Sequence, residues 1–377
     1  MSSTRSLQTS VRNLHETMLD NRGGCQVTKP LVTVVILNFN GERTLQKCLQ
    51  SVLTTEYVPI EVVVVDNASS DQSLQCVQAL SRQVVVVRNE RNLGYSGGNR
   101  RGLELAHGDF VVFLNNDVVV EPNWMAELVK AADRNPDAAF IQPKILFHDR
   151  RTINSSGGII HVAGFGLCLG IGETDDGQWD SECEIDYASG ACIFVRRKVL
   201  NDIGFLDDRY VAYEEDVDWG WRAKTLGWKS IVAPRSLIFH EARGVMEGVM
   251  PARKFYYLER NRFLTVAKNY STPSLVRLLP ILGVIEFFVL AYSLTRRLTG
   301  WKVRSYCDAF KLRSHVRSQR LRIQSRRKVP DSEIVGKLSW TLWHPYVGPS
   351  IRPLNWLVRL LMVALGYTHR SSGSGPD

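Results

Sequence analysis

Four apolar, β-branched runs constrain this chain more than any other feature. They are residues 31–37 (LVTVVIL), 60–65 (IEVVVV), 84–87 (VVVV) and 109–114 (DFVVFL). Runs of this kind, apolar on both faces, predict buried strands of a parallel sheet. Helical spacings lie between them: Leu45, Cys48, Leu49 and Val52, then Leu74, Val77 and Leu80, then a helix over about 97–106. A further helix over 122–132 carries Pro in its first turn. The order βαβαβαβ predicts a parallel sheet with helices on its faces. Each run ends in a polar, turn-forming loop, and these loops should gather at one edge of the sheet, where open α/β sheets place ligand chemistry. After Pro143 the pattern changes. Residues 154–172 are Gly-rich and predict irregular strands and loops, 191–195 a short strand, 198–203 a helix, and 228–240 a strand with a loop.

Length and charge divide the rest. The 377 residues allow one large or two modest domains. Seven cysteines are scattered without a CxxC pair. That argues against a disulfide framework or a zinc site, and for a reducing compartment. The N-terminal stretch lacks the apolar core of a signal peptide. Residues 251–330 hold 18 Lys+Arg against 3 Asp+Glu, a balance of +15, so the remainder of this +9 chain stands at −6. A basic region on a mildly acidic body suggests an anionic partner surface, or a solvated helical face. No nucleic-acid-reading module accompanies it, so no nucleic-acid partner is expected. Residues 278–294 (LLPILGVIEFFVLAYSL) are strongly apolar, but 17 residues is short for a spanning helix and Glu286 inside it is costly. A membrane-surface or re-entrant helix is expected, with Arg296 and Arg297 at the headgroups. Residues 355–367 are a second amphipathic candidate; ordinary packing of both segments on the main domain is the alternative.

Five features could carry chemistry. Asp117, at the end of the fourth run, either holds a divalent metal on a nucleotide diphosphate or closes an Asx turn. Asp66 can accept hydrogen bonds from a base edge or ribose hydroxyl, or cap a helix. The Gly-rich loop 92–99 (NLGYSGGN) leads into a helix and could approach phosphate closely, though it matches neither a Walker A loop nor the dinucleotide fingerprint. Glu214, Glu215, Asp216 and Asp218 place four carboxylates in five residues; they should raise one another's proton affinity, which suits a general base, or they form an acidic helix start. His240 ends a strand-like segment and is either structural or a metal ligand.

In this order the motifs resemble the inverting GT-A glycosyltransferases of family 2, most closely the rhamnosyltransferase-like branch. The resemblance rests on VTVVILNFNG (32–41), VVVVDNASSD (62–71), NLGYSGGNRRGL (92–103), FLNNDVVV (113–120), SGACIFVRR (189–197), YEEDVDWGWR (213–222) and IFHEARG (238–244). It implies an α/β GT-A fold with a mainly parallel sheet and a C-terminal helical, membrane-associated extension. The domains would be a flexible arm (1–29), a catalytic domain (30–245) and a basic, amphipathic helical region (246–377). It implies transfer, with inversion, from a UDP- or dTDP-sugar, dTDP-rhamnose among them, to a lipid-linked or polysaccharide acceptor of the cell envelope. Leu37, Asn38, Phe39, Asn40, Asp66, Asn67, Asn92, Asn99 and Asn116 would bind the nucleotide sugar, with Asp66 towards the base. Asp117 and His240 would hold Mg²⁺ or Mn²⁺. The family's metal motif usually has two or more Asp; Asn115 and Asn116 leave Asp117 as its one carboxylate. Asp216, in the pair with Glu215, matches the catalytic base, and Gly190 and Ala191 would border the acceptor. The expected location is the cytoplasmic face of the membrane, peripheral or re-entrant, against an anionic surface. The thinned metal motif also motivates an alternative: a non-catalytic nucleotide-sugar- or carbohydrate-binding protein on the same fold.

Overall fold

The computed structural model describes residues 29–78, 84–242, 250–343 and 351–369. The N-terminal arm up to residue 28, Leu80, Arg243 and the expected domain boundary at 245–246 lie outside the described residues. The four apolar runs form β1 (Val32–Asn38), β2 (Ile60–Asp66), β3 (Val84–Arg88) and β4 (Phe110–Asn115), all parallel, in the order β3-β2-β1-β4. Register brings Asn38 opposite Asp66, and Leu37 opposite Asn115, so the polar strand ends share one edge.

Alternation along these strands loads both faces. Val32, Val34, Ile36, Val62, Val64, Val112 and Leu114 pack with α1 (Leu45–Leu53) and, further along the chain, the helix Trp124–Arg134. Val35, Val63, Val65, Val111 and Phe113 pack on the other face with Trp219. Each fully buried Val, Leu or Phe is worth about 1.5–3 kcal/mol relative to exposure, so a one-residue slip would strand both layers. A short helix α2 (Gln75–Gln78) follows β2, and α3 (Gly94–Leu103) lies across the ends of β1 and β2. Close approach there requires glycine: a Cβ on Gly98 would sit 2.4 Å from Leu37 Cδ1.

Beyond β4 the sheet is mixed. β5 (Val118–Val120) precedes α4 (Trp124–Arg134), and β6 (Ala138–Phe147) is buried along its whole length. Pro143 within β6 interrupts the apolar pattern and conceals this strand in the sequence, because proline breaks a ladder. Its site is the irregularity itself: the register with β12 (Lys229–His240) shifts between Ala233, opposite Pro143, and Leu237, opposite Lys144. β7 (Ile153–Ser155) pairs with β6, and β8 (Gly158–Ile160) with β9 (Gly166–Cys168). β10 (Cys183–Ile185) lies at the edge on β12. β11 (Cys192–Arg196) runs antiparallel between β4 and β6, and β12 is parallel to β6. No long crossover helix precedes β11, so it enters the sheet antiparallel. Then follow α5 (Leu200–Ile203) and α6 (Glu215–Thr225).

The C-terminal helices are α7 (Ala252–Asn269), α8 (Thr272–Thr295), α9 (Thr299–Lys311), α10 (Arg313–Gln324), α11 (Asp331–Lys337) and α12 (Arg352–Ala364). α8 is longer than its apolar run because Ser271 caps it, accepting from the Ser274 amide at 3.4 Å, and Pro273 suits its first turn. Leu278, Ile281 and Ile285 of α8 join Val358 and Met362 of α12, Tyr270 and Trp221 in one core. Glu286 faces protein: Arg262 of α7 lies at 2.8 Å, Lys302 of α9 at 2.5 Å, and Tyr306 donates to it. Burial raises the Glu286 carboxyl, but Arg262 and Lys302 outweigh that and hold it below its ordinary value. Glu259 completes the network with Arg262 and Lys302. Breaking a buried pair leaves a charge uncompensated, at about 3–5 kcal/mol. Glu259→Gln should therefore lower the unfolding free energy by an amount in that range, read as a lower denaturation midpoint; a midpoint equal to wild type would show that Glu286 alone satisfies both cations.

Candidate active site

The strand ends build a layered polar edge. Asn38 is fully buried and its amide donates to Asp66 at 3.1 Å, Ser69 at 3.1 Å and Ser73 at 2.8 Å, while its oxygen accepts from Asn116 at 2.7 Å. Asp66 is 0% exposed, and besides Asn38 it accepts from the Ser69 amide and pairs with Arg88 at 3.3 Å. Its hydrogen bonds thus hold the loop that follows it. Asn40 has φ of 52° and is fixed by Ser69 and Ser70, while Phe39 beside it is 48% exposed. Leu37 packs under α3. Asn67 donates to Asn92 at 2.9 Å and to the Gly94 carbonyl at 3.1 Å, and accepts from Asn89 and the Leu93 amide. Asn99 on α3 is fully buried with neither amide atom in a hydrogen bond. Eight of the nine nucleotide-site expectations therefore lie on or directly under one edge, and Asn99 lies on the helix that crosses it.

Asp117 follows Asn116 at the β4–β5 turn, and β5 pairs with the end of β12, placing His240 opposite Val118. His240 Nε2 lies 3.3 Å from Asp117 Oδ1, and His240 Nδ1 is 3.3 Å from Asn154 Oδ1. The carboxylate and imidazole, 117 and 240, are thus neighbours. Among the described residues no group of three or more His, Cys, Asp or Glu could by itself hold a metal ion.

The acidic cluster fans out rather than acting as one patch. Asp218 is fully buried and turned away, bound by Arg222 at 2.9 Å, Asn269 at 2.9 Å and Lys268 at 3.0 Å. Glu214 accepts from the Gly166 amide of β9. Asp216 accepts from the Gly190 amide at 2.8 Å and the Val217 amide at 2.9 Å. Burial raises all three carboxyls at 214–216, with Asp216 the next cause for both glutamates. The Gly190 and Val217 amides hold Asp216 back against burial, so its carboxyl is raised less strongly than that of Glu215. Mutual repulsion, the sequence-based cause, ranks second to desolvation.

Gly190 sits between these groups, and Ala191 beside it starts the run into β11. Tyr95 donates to the Gly190 carbonyl at 2.6 Å, and its amide donates to Val211 at 2.7 Å. The glycine-rich loop is thereby tied to the wall beside Asp216. The loop is legible in the sequence, but Tyr95 is not, standing there only as one letter of a motif. The turn entering α6 is left-handed at three non-glycine residues: Val211 at 67°, Tyr213 at 67° and Glu214 at 66°. Such residues cost about 1–3 kcal/mol each and persist where surroundings over-determine them.

Residues 33–204 match the model of Glycosyl transferase family 2. An N-acetylglucosaminyl-diphospho-decaprenol L-rhamnosyltransferase of Mycobacterium tuberculosis is 26% identical over 263 residues, 64% of this chain and 85% of that protein. The O-antigen biosynthesis protein RfbC of Myxococcus xanthus is 26% identical over 60% of this chain, which spans only 18% of RfbC; it spans 24% of an uncharacterized Sinorhizobium fredii protein. Among solved structures, GalNAc-T7 with UDP, GalNAc and Mn²⁺ superposes with a TM-score of 0.53 at 18% identity, over 75% of this chain and 56% of that one. That likeness shows the GT-A fold alone.

The raised carboxyls set a sign for stability. A folded-state value above the unfolded one, about 4.3 for Glu, gives stability that is full below that value and lost as pH rises through the folded one. Glu215→Gln removes one such group. Its unfolding midpoint should exceed wild type by more at about pH 8 than at about pH 5; an equal difference at both would contradict a raised Glu215.

Proposed function

Given that this chain carries a Glycosyl transferase family 2 domain and is a glycosyltransferase, we propose that it moves a sugar from a nucleoside diphosphate to a hydroxyl of a lipid-linked or polysaccharide acceptor, with inversion. UDP- and dTDP-sugars, dTDP-rhamnose included, are the donors to test. The observation that carries the reading is Asp216: a buried carboxylate fixed by the Gly190 and Val217 amides, beside the glycine-rich loop that Tyr95 ties to Gly190. Asn38, Asn40, Asn67, Asn92 and Asn116 line the donor side, with exposed Phe39 as a face for the base.

The acceptor hydroxyl donates to Asp216, which takes its proton as the oxygen attacks the anomeric carbon. The bond to the diphosphate oxygen breaks on the opposite face, and one displacement inverts the configuration. Holding donor and acceptor in line removes entropic cost, up to about 7–11 kcal/mol in ideal cases. Asp117 and His240 suit a Mg²⁺ or Mn²⁺ ion: an oxygen and an imidazole nitrogen at one turn, the imidazole oriented by Asn154. Two protein ligands need the donor's phosphate oxygens to complete the shell. When bound, the ion would neutralise charge on the leaving diphosphate.

A membrane surface as the place of reaction is part of this proposal. α8 is long and apolar enough to cross a membrane, yet Arg262 and Lys302 grip Glu286 and hold one face of it on the protein. Its other face is an exposed stripe, Val276, Leu279, Phe287, Leu290 and Leu294, and α12 beside it exposes Trp356, Leu360 and Val363. With the exposed arginines of α9 and α10, this favours lying in an anionic interface over spanning.

Asp216→Asn should cut transfer about 10²–10⁴-fold, the scale of lost base catalysis, with Glu215→Gln retaining most activity near neutral pH. Nucleotide sugars screened with membrane lipid extract supply the assay; near-normal turnover by Asp216→Asn would sink the assignment. Cosedimentation with phosphatidylglycerol vesicles should exceed that with phosphatidylcholine and fall in Phe287→Ser/Leu290→Ser; equal sedimentation, or self-association instead, would contradict the surface reading.

A further inference from the structure

One face of α7 is polar and completely buried, which is unusual for a helix packed inside a domain. Asn261, Thr265, Lys268 and Asn269, at i, i+4, i+7 and i+8, are each 1% exposed or less. The first three reach the segment that leads into α6, and Asn269 reaches Asp218 of α6 itself. The Asn261 amide donates to three successive-turn carbonyls: Tyr210 at 3.0 Å, Ala212 at 2.9 Å and Tyr213 at 2.7 Å. Arg260 donates to the Asn261 oxygen at 2.7 Å and 2.9 Å, which sets the amide with its donors towards the turn, and reaches the Arg209 and Tyr210 carbonyls at 2.8 Å and 2.7 Å. Thr265 bonds the Tyr210 hydroxyl at 2.7 Å. Lys268 pairs with Asp207 and Asp218, and Asn269 donates to Asp218.

Several of these contacts fall on a stretch, 211–214, in which three of four residues are left-handed. Val211, Tyr213 and Glu214 are left-handed, and β-branched Val211 is the least suited of the three. The Val211 carbonyl also accepts from Tyr95 of the glycine-rich loop. Two residues after Glu214 stands Asp216. We propose that Arg260 and Asn261 are positioning residues that clamp the 209–213 turn in its left-handed form and so aim Asp216 at the acceptor. The proposal rests on the reading of Asp216 as the base. Without the clamp the turn relaxes, α6 begins differently, and the carboxylate leaves the Gly190 amide and meets water.

The test compares Asn261→Ala, Asn261→Ser and Asn261→Ala/Val211→Gly in the full chain. Glycine adopts a left-handed backbone freely, so it should substitute for part of the clamp. Asn261→Ala should lower kcat about tenfold to a hundredfold, as a slightly misaimed catalytic group does, with donor KM within about twofold. Adding Val211→Gly should recover several-fold of that loss. Carboxyl ¹³C titration, with the Asp216 resonance assigned by its loss in Asp216→Asn, should move towards the ordinary aspartate range in Asn261→Ala and return in the double variant. Unchanged kcat and titration would overturn the proposal. So would a failure of all three variants to fold, which would make the pair structural only. If Asp216→Asn itself turns over normally, the base assignment fails, and the clamp is then judged on the titration alone.

Discussion

The left-handed turn at Val211 to Glu214 is the constraint on which the proposed site depends. It brings Glu214 to β9, Asp216 to Gly190 and Asp218 to α7, three directions from five residues. A regular entry into α6 would leave these carboxylates on adjacent faces of one helix, repelling each other. The strain is offset by the buried polar face of α7 and by Tyr95, so the turn is held from the C-terminal helices on one side and from the glycine-rich loop on the other. The helical region after residue 250 is therefore continuous with the proposed site in packing and in hydrogen bonding.

The same region has a second face. The side of α8 that touches protein carries Glu286 into a network with Arg262, Lys302 and Tyr306; the other side is apolar along its length. A carboxylate that would be costly in lipid is instead a tether to α7 and α9. α7 thus links the proposed membrane face to the proposed base: Arg262 grips α8, and its neighbour Asn261 grips the turn.

Much of the parallel half of the sheet was legible from sequence because its signals are local. β-Branched runs, turn residues at their ends and helical spacing each need only a short window, and β1 to β4 fall within one residue of their expected bounds. β6 was hidden by Pro143, since a proline that sits at a register shift cannot be told from one that ends a strand. The buried face of α7 was hidden differently. Asn261, Thr265, Lys268 and Asn269 have helical spacing, but polar residues at that spacing ordinarily mark the solvent side. Their burial depends on a partner segment about 50 residues away in the chain, information that no window contains. Asp66 shows a third limit: its place at the strand end was readable, but not that Asn38, Ser69 and Arg88 occupy its oxygens.

One measurement tests the central claim, a single displacement with Asp216 as the base at the acceptor. It is the anomeric configuration of the product, read by ¹H NMR during turnover of a nucleotide sugar of known configuration. The account predicts that the product is inverted relative to the donor from the first turnover. A product with the donor's own configuration would require a second displacement or a covalent intermediate, and would contradict it.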